Sequence, residues 1–202
     1  MKISIISGSH RKNSESEKVA RYIIKEIHSK LAFLTHFVSL AENPIPLFDE
    51  DFFNPNSAKW NKAWAPIAQE LQSSDGIIIV SPEWHGMVPS GLKNFLLLSS
   101  AKEIGHKPGL IVTVSAGTGG AYPVLELRSS GYKNSRICYI PEHVVIRDCT
   151  HVLNKDTPES TSDTDIRKRI EYALNIFAQY MKALKLVRDS GTIDHATFPH
   201  GM

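Results

Sequence analysis

Two rhythms of hydrophobic and polar positions alternate along this chain. Short unbroken apolar runs stand at ISIIS (3–7), GIIIV (76–80) and GLIVTVS (109–115). Runs of this kind read as strands covered on both faces. Between them, apolar residues recur every three or four positions. Val19, Ala20, Ile23, Ile24, Ile27 and Leu31 predict a helix over 14–31. Further helices are expected over 58–73, from about 90, from about 120 and near 164–186. FLTHFVSL (33–40) and ICYIPEHVVI (137–146) complete a set of five strands, while ENPIPLFDEDFFNPN (42–56) is too rich in proline and acid to be anything but loop.

Five strand–helix units predict an α/β fold with a parallel sheet and helices on both faces. Five such strands commonly take the order 2-1-3-4-5. Pro141 marks the last run as an edge strand, where a missing N–H is tolerated. No internal repeat or long linker interrupts the pattern. One domain is expected over residues 1–186, followed by a polar tail over 187–202 that either stays disordered or clasps a neighbouring subunit.

Composition narrows the function classes. The chain has 202 residues, 42% of them hydrophobic, and a net charge of +2. Its basic residues are scattered, which argues against nucleic acid as a partner. Even RKRIEY (167–172) reads as a solvated helix face. Two cysteines, Cys138 and Cys149, make neither a CxxC motif nor a disulfide framework. The opening MKISIIS has no signal-peptide pattern and no run is long enough to span a membrane, so a cytoplasmic protein with no membrane partner is expected. The nine histidines lack metal-ligand spacing, and no metal is expected.

In an open parallel sheet, ligands bind outside the carboxyl ends of the strands, near the switch point of the strand order. The loops after strands 1, 3 and 4, which are adjacent in that order, are therefore expected to carry the site. The first, GSHRKNSESEK, holds Ser14 with Glu17 three residues on, a capping box. A helix start there offers free N–H groups to a phosphate. Arg11 adds a two-pronged cation, and Ser9, Ser14 and Ser16 add hydroxyls. Taken alone, the loop reads equally as a capped turn with a surface arginine. It is neither a Walker loop nor a GxGxxG fingerprint.

The loop after strand 3, SPEWHGMVPSGLKN (81–94), is shaped by Pro82, Gly86 and Pro89 and can face a flat heterocycle. Trp84 suits packing as well as ligand stacking, and His85 suits an ordinary surface position. Lys93 and Asn94 are placed to brace the site or a subunit contact. The loop after strand 4, SAGTGGAY (115–122), is glycine-rich, fit for close backbone approach or for a flexible turn. Together the three loops describe a mononucleotide lying across the sheet edge. No nucleophile–base pair stands out, as expected where a cofactor brings its own reactivity.

These three loops resemble those of the NAD(P)H-dependent FMN reductase family of flavodoxin-like proteins. The family's GSxRxxS is GSHRKNS here, its PEYNGxxPGxLKN is PEWHGMVPSGLKN, and its GxGG loop is SAGTGG. The resemblance implies a flavodoxin-like three-layer sandwich. It places the FMN phosphate on Ser9, Arg11, Ser14 and Ser16, and the ring and ribityl chain against Pro82, Glu83, Trp84, His85 and Gly86. The pyrimidine side falls near Ser115, Gly117, Thr118 and Gly119. It further implies NADPH or NADH as co-substrate, a small-molecule electron acceptor and a homodimer or homotetramer. Trp84-His85 replaces the family's usual Tyr-Asn, and Ala116 stands where glycine is common. The competing readings are a flavodoxin-type electron carrier, disfavoured by the balanced charge and Arg11, and a hydrolase with Ser81 or Ser115 as nucleophile, disfavoured by the lack of a GxSxG elbow.

Overall fold

The computed structural model describes residues 1–201. At its centre lies a parallel sheet of β1 (Lys2–Ser7), β2 (Leu34–Ser39), β3 (Gly76–Pro82), β4 (Pro108–Val114) and β5 (Cys138–Ile146). The strand order is β2-β1-β3-β4-β5, as the sequence pattern predicts. Every residue of β3 and β4 is buried. The pleat nevertheless sorts their side chains between two cores. Ile78, Val80, Leu110 and Val112 pack with Val19 and Ile23 of α1 (Glu15–Glu26) and with Phe177 of α7 (Thr161–Asp189). Ile77, Ile79 and Ile111 pack on the opposite face with Leu71, Leu92 and Leu127. Those three leucines belong to α3 (Ala65–Gln72), α4 (Ser90–Leu98) and α6 (Tyr122–Ser129). An unbroken apolar run serves two cores at once, which is why these strands show no alternation in sequence.

Several boundaries differ from the sequence reading, each for a local reason. The helix expected over 58–73 breaks at Trp64 into α2 (Ala58–Ala63) and α3. Pro66 causes the break, because its ring and missing N–H cannot continue the i→i−4 ladder. The helix from position 90 likewise stops at Leu98, and a capping box at Ser100 starts the short α5 (Ala101–Ile104). The first helix loosens into a π-turn at Ile27–Leu31 and ends on Ala32 in the left-handed region. The last helix runs past 186 to Asp189. In β5, Gly109 of β4 faces Tyr139 but Ile111 faces His143, so the chain bulges around Pro141. Beyond α7, the tail folds back on its own chain: Arg136 donates to the Phe198 carbonyl and meets His195, each at 2.5 Å.

Because all strands are parallel, the segments after β1, β3, β4 and β5 open on one edge. None of the helices among the described residues is long and apolar enough to cross a membrane.

Candidate functional site

The first loop leaves β1 through Gly8, whose N–H donates to the Val80 carbonyl at 2.8 Å. A Cβ at this position would lie 2.6 Å from Leu92 Cδ2, so glycine lets the chain turn this close to α4 without displacing that buried side chain. The Ser9 hydroxyl accepts the Arg11 N–H at 3.2 Å, closing a local turn. Asn13 takes the left-handed conformation that its short polar side chain tolerates (φ 52°). Ser14 then caps α1, its hydroxyl accepting the Glu17 N–H at 3.2 Å.

The expected capping box is only half formed. Glu17 does not reach back to Ser14. It accepts instead from Arg21 and, at 3.0 Å, from the Ser39 hydroxyl on neighbouring β2. The N–H groups of Glu15 and Ser16 have no partner among the described residues. Ser16 itself is 1% exposed, and its hydroxyl is likewise unpartnered. A buried polar atom without a partner is uncommon in a folded protein. Beside a helix N-terminus, it suits an anion.

These groups line a cavity of about 350 Å³ at the sheet edge. Ser9, Arg11, Ser14 and Ser16 form one wall, and Pro82, Glu83 and Trp84 another. His85, Gly86, Ser115, Gly117, Thr118 and Gly119 lie outside the wall, in the flanking loops. In the second loop, Trp84 and Met87 exchange N–H···O bonds of 3.1 and 2.9 Å around a two-residue turn. His85 (φ 51°) and Gly86 (φ 72°) occupy its central positions, both left-handed as in type I′ hairpins. The turn leaves His85 exposed. Trp84 does two things at once: it lines the cavity and packs edge-on against His10, ring centroids 4.7 Å apart. That contact joins the first loop to the second.

Lys93 and Asn94 act as braces. Lys93 pairs with Glu126 and so ties α4 to α6. The Glu126 carboxylate also accepts the Val88 N–H at 2.6 Å, which fixes the second loop. Burial acts to raise the pKa of Glu126, but Lys93 and the Val88 N–H outweigh it and hold the group below the usual carboxylate range. Asn94 accepts the Phe48 N–H at 2.9 Å and donates to the Pro46 carbonyl at 2.8 Å, which pins the proline-rich segment to α4.

The third loop is held, not flexible. Thr113 donates to the Gly120 carbonyl at 2.6 Å, and the Gly120 N–H donates to Glu83 at 2.7 Å. A Cβ on Gly119 would stand 2.6 Å from the same carboxylate, so a side chain here would push Glu83 aside. The Ser115 hydroxyl is engaged by the Gly117 N–H at 3.3 Å.

The sequence pattern assigns no cofactor contact to Lys12, Asn13, Glu15, Val114, Ala116, Cys149 or Thr150, all of which line the cavity. Cys149 and Thr150 follow β5, a segment given no weight. The available signal was the strand order itself, since β5 lies beside β4 and ends on the same edge. Lys18 holds this segment against α1, donating to the Cys149 and Val152 carbonyls at 2.7 and 3.1 Å and to Asn154 at 2.8 Å. Burial pushes the Cys149 thiol pKa up.

A family model described as NADPH-dependent FMN reductase matches residues 1–151. The chain belongs to the NADPH-dependent FMN reductase family. The match runs from β1 through the segment after β5, so every wall of the cavity falls inside it. Membership makes the protein an oxidoreductase, with FMN as cofactor and NAD(P)H as electron source. It is 25% identical over 186 residues to an NADPH azoreductase of Bacillus sp. (strain OY1-2), covering 91% of this chain and 98% of that protein. It is 32% identical over 132 residues to a quinone reductase of Escherichia coli (strain K12), covering 63% of this chain and 68% of that one. Among solved structures, a flavoenzyme NAD(P)H:(acceptor) oxidoreductase from Paracoccus denitrificans aligns with a TM-score of 0.72 at 16% identity, over 90% of this chain and 97% of that one. This last likeness is one of fold.

Proposed function

We propose that the protein passes hydride from NAD(P)H to FMN held in the sheet-edge cavity, and then passes the electrons to a small aromatic acceptor such as a quinone, an azo compound or free flavin. The observation that carries this reading is the unpartnered, buried Ser16 hydroxyl beside the free first-turn N–H groups of α1. With Ser9, Ser14 and the Arg11 guanidinium, they form a seat for the FMN phosphate. Pro82, Glu83, Trp84, His85 and Gly86 flank the ring and ribityl chain. Ser115, Gly117, Thr118 and Gly119 flank the pyrimidine side.

Bound FMN supplies the hydride-accepting ring. The chain's own residues bind and orient. The helix start and Arg11 neutralise the phosphate, Trp84 and the proline-shaped turn limit the ring's movement, and the clamped third loop offers backbone donors. No side chain is assigned as acid or base. The azoreductase and quinone reductase named among the relatives support the acceptor class.

Residues 1–186 act as one FMN-binding unit. We assign a second copy of the chain to the face that carries Met87, Leu97, Tyr122 and Leu125, all more than half exposed. Tyr122 stands over Gly86, so pairing through this face would bring the partner beside the second loop. Light scattering on a sizing column tests it.

The deciding measurement is the visible absorbance of the purified protein, before and after NADPH without oxygen. Flavin bands that bleach are expected. Bands that persist would identify an electron carrier, and bands that never appear, even after soaking in FMN, would refute the binding reading.

A further inference from the structure

The turn after β4 is gripped from two sides. The Gly117 carbonyl accepts the Asp148 N–H at 3.0 Å. The Thr118 and Gly119 carbonyls both accept from Arg147 Nε, at 2.7 and 3.0 Å. From the other flank, Glu83 accepts the Gly120 N–H at 2.7 Å. No peptide bond in the described chain is cis. In a trans peptide, the C=O and the following N–H point in opposite directions. The Gly119–Gly120 unit shows this directly, with its oxygen on Arg147 and its N–H on Glu83.

The same geometry governs the two peptide units before it. Their oxygens are taken by Asp148 and Arg147, which turns the N–H groups of Thr118 and Gly119 away from the segment after β5. Neither N–H has a partner among the described residues. On its Glu83 flank the turn borders the cavity, of whose wall Glu83 is part. Two adjacent free N–H groups on a rigid turn form a preorganised site for negative charge.

We propose that Arg147 is a positioning residue: by holding the Thr118 and Gly119 carbonyls, it presents the Thr118 and Gly119 N–H groups to the negative charge that the flavin takes up on reduction. The inference rests on the FMN reading above and adds a determinant of redox potential to it. Arg147 stands across the turn from Glu83 and acts only through the peptide planes. Favouring the reduced over the oxidised cofactor raises the midpoint potential, because only the difference in binding moves that equilibrium.

Three variants separate a hydrogen-bonding role from a charge effect. Arg147→Gln loses the charge but keeps an N–H the same number of bonds from Cα as Nε. Arg147→Lys keeps the charge but not that donor position. Arg147→Met has neither. Arg169→Gln, on α7 and bonded at 3.4 Å only to the His143 carbonyl, is a control for loss of a nearby cation.

Two readouts are used: the two-electron midpoint potential of the FMN-loaded protein, and amide hydrogen exchange of the FMN-free protein at Asp148 and Gly120. Arg147→Met should hold reduced FMN about tenfold less well relative to oxidised FMN, a drop of about 30 mV in midpoint potential. It should also speed exchange at both amides. Arg147→Gln should restore most of both, and Arg169→Gln should change neither. An unchanged potential in Arg147→Met overturns the proposal. So does rescue by Arg147→Lys with no rescue by Arg147→Gln. If the wild-type protein takes up no FMN, the functional reading fails, and exchange at Asp148 and Gly120 still decides whether Arg147 holds the turn.

Discussion

The two edges of the sheet use their polar groups in opposite ways. At the amino edge, charges are met within the chain. Lys107 is 5% exposed, and its ammonium donates to the Leu71, Gln72 and Glu103 carbonyls at 2.7, 2.9 and 2.8 Å. Asp75 accepts from the Lys2 N–H at 3.1 Å and from Arg188 at 3.3 Å. At the carboxyl edge, Ser7 and Ser16 hydroxyls are buried without partners, and several backbone N–H groups stand free. Matched polar groups hold the fold together. Unmatched ones withhold stability until a ligand supplies the missing partner.

If that contrast is right, substitutions at the two edges should separate stability from binding. The largest expected effect is at the amino edge. Lys107→Met leaves buried carbonyls without donors and should cost about 3 kcal/mol in a urea unfolding experiment. FMN affinity in a fluorescence titration should not change. The same lysine sets a pH dependence. Burial, with the neighbouring Arg188 charge, pushes its pKa down to about 8. The folded state therefore loses this proton before the unfolded state does, whose lysine titrates near the ordinary value of about 10.4. Between those two values the unfolded chain binds more protons, so stability should rise with pH. Lys107→Met should remove that rise.

Next is Arg11→Ala at the carboxyl edge. It should weaken FMN by about 1.5–3 kcal/mol, the scale of a charged hydrogen bond, and leave the unfolding free energy of the FMN-free protein unchanged. Unchanged FMN affinity would return the first loop to the status of a capped turn. Ser16→Ala sharpens the comparison further, because its two effects oppose each other. Removing an unpartnered buried hydroxyl should stabilise the FMN-free protein by up to about 1 kcal/mol, yet weaken FMN by about 1 kcal/mol. Loss of stability in that variant would mean the hydroxyl already has a partner. The smallest effect tests an unpartnered hydroxyl away from the cavity wall. The Tyr139 ring packs against Gly109, its hydroxyl is buried without a partner, and burial raises its pKa strongly. Tyr139→Phe should be neutral or stabilise by about 0.5 kcal/mol in thermal unfolding.

Much of this was legible in the chain. Five apolar runs separated by helical periodicity gave the sheet and, through the usual order of such sheets, the edge that carries the site. The glycines, serines and Arg11 of the first loop were legible because a helix start is a local event, written within a few residues. The error at Glu17 marks the limit of that rule. One of its partners is Arg21 on the same helix, but the other, Ser39, is near only because β2 pairs with β1, a long-range fact that competes with the local cap. The third loop shows the same limit. From composition SAGTGG reads as readily as a flexible turn, whereas Glu83 and Arg147, from two other loops, make it rigid.

By itself, then, the sequence determined the elements and the chemistry available on the first three loops, because backbone preferences and apolar periodicity act over a few residues. Only the tertiary structure decided which groups are left unpartnered. It placed Cys149 and Thr150 in the cavity wall, left the Ser16 hydroxyl buried without a partner, and set Arg147 behind the glycine turn. Whether a polar group is satisfied depends on neighbours brought from far along the chain, and that is fixed only when the parallel strands align their ends on one edge.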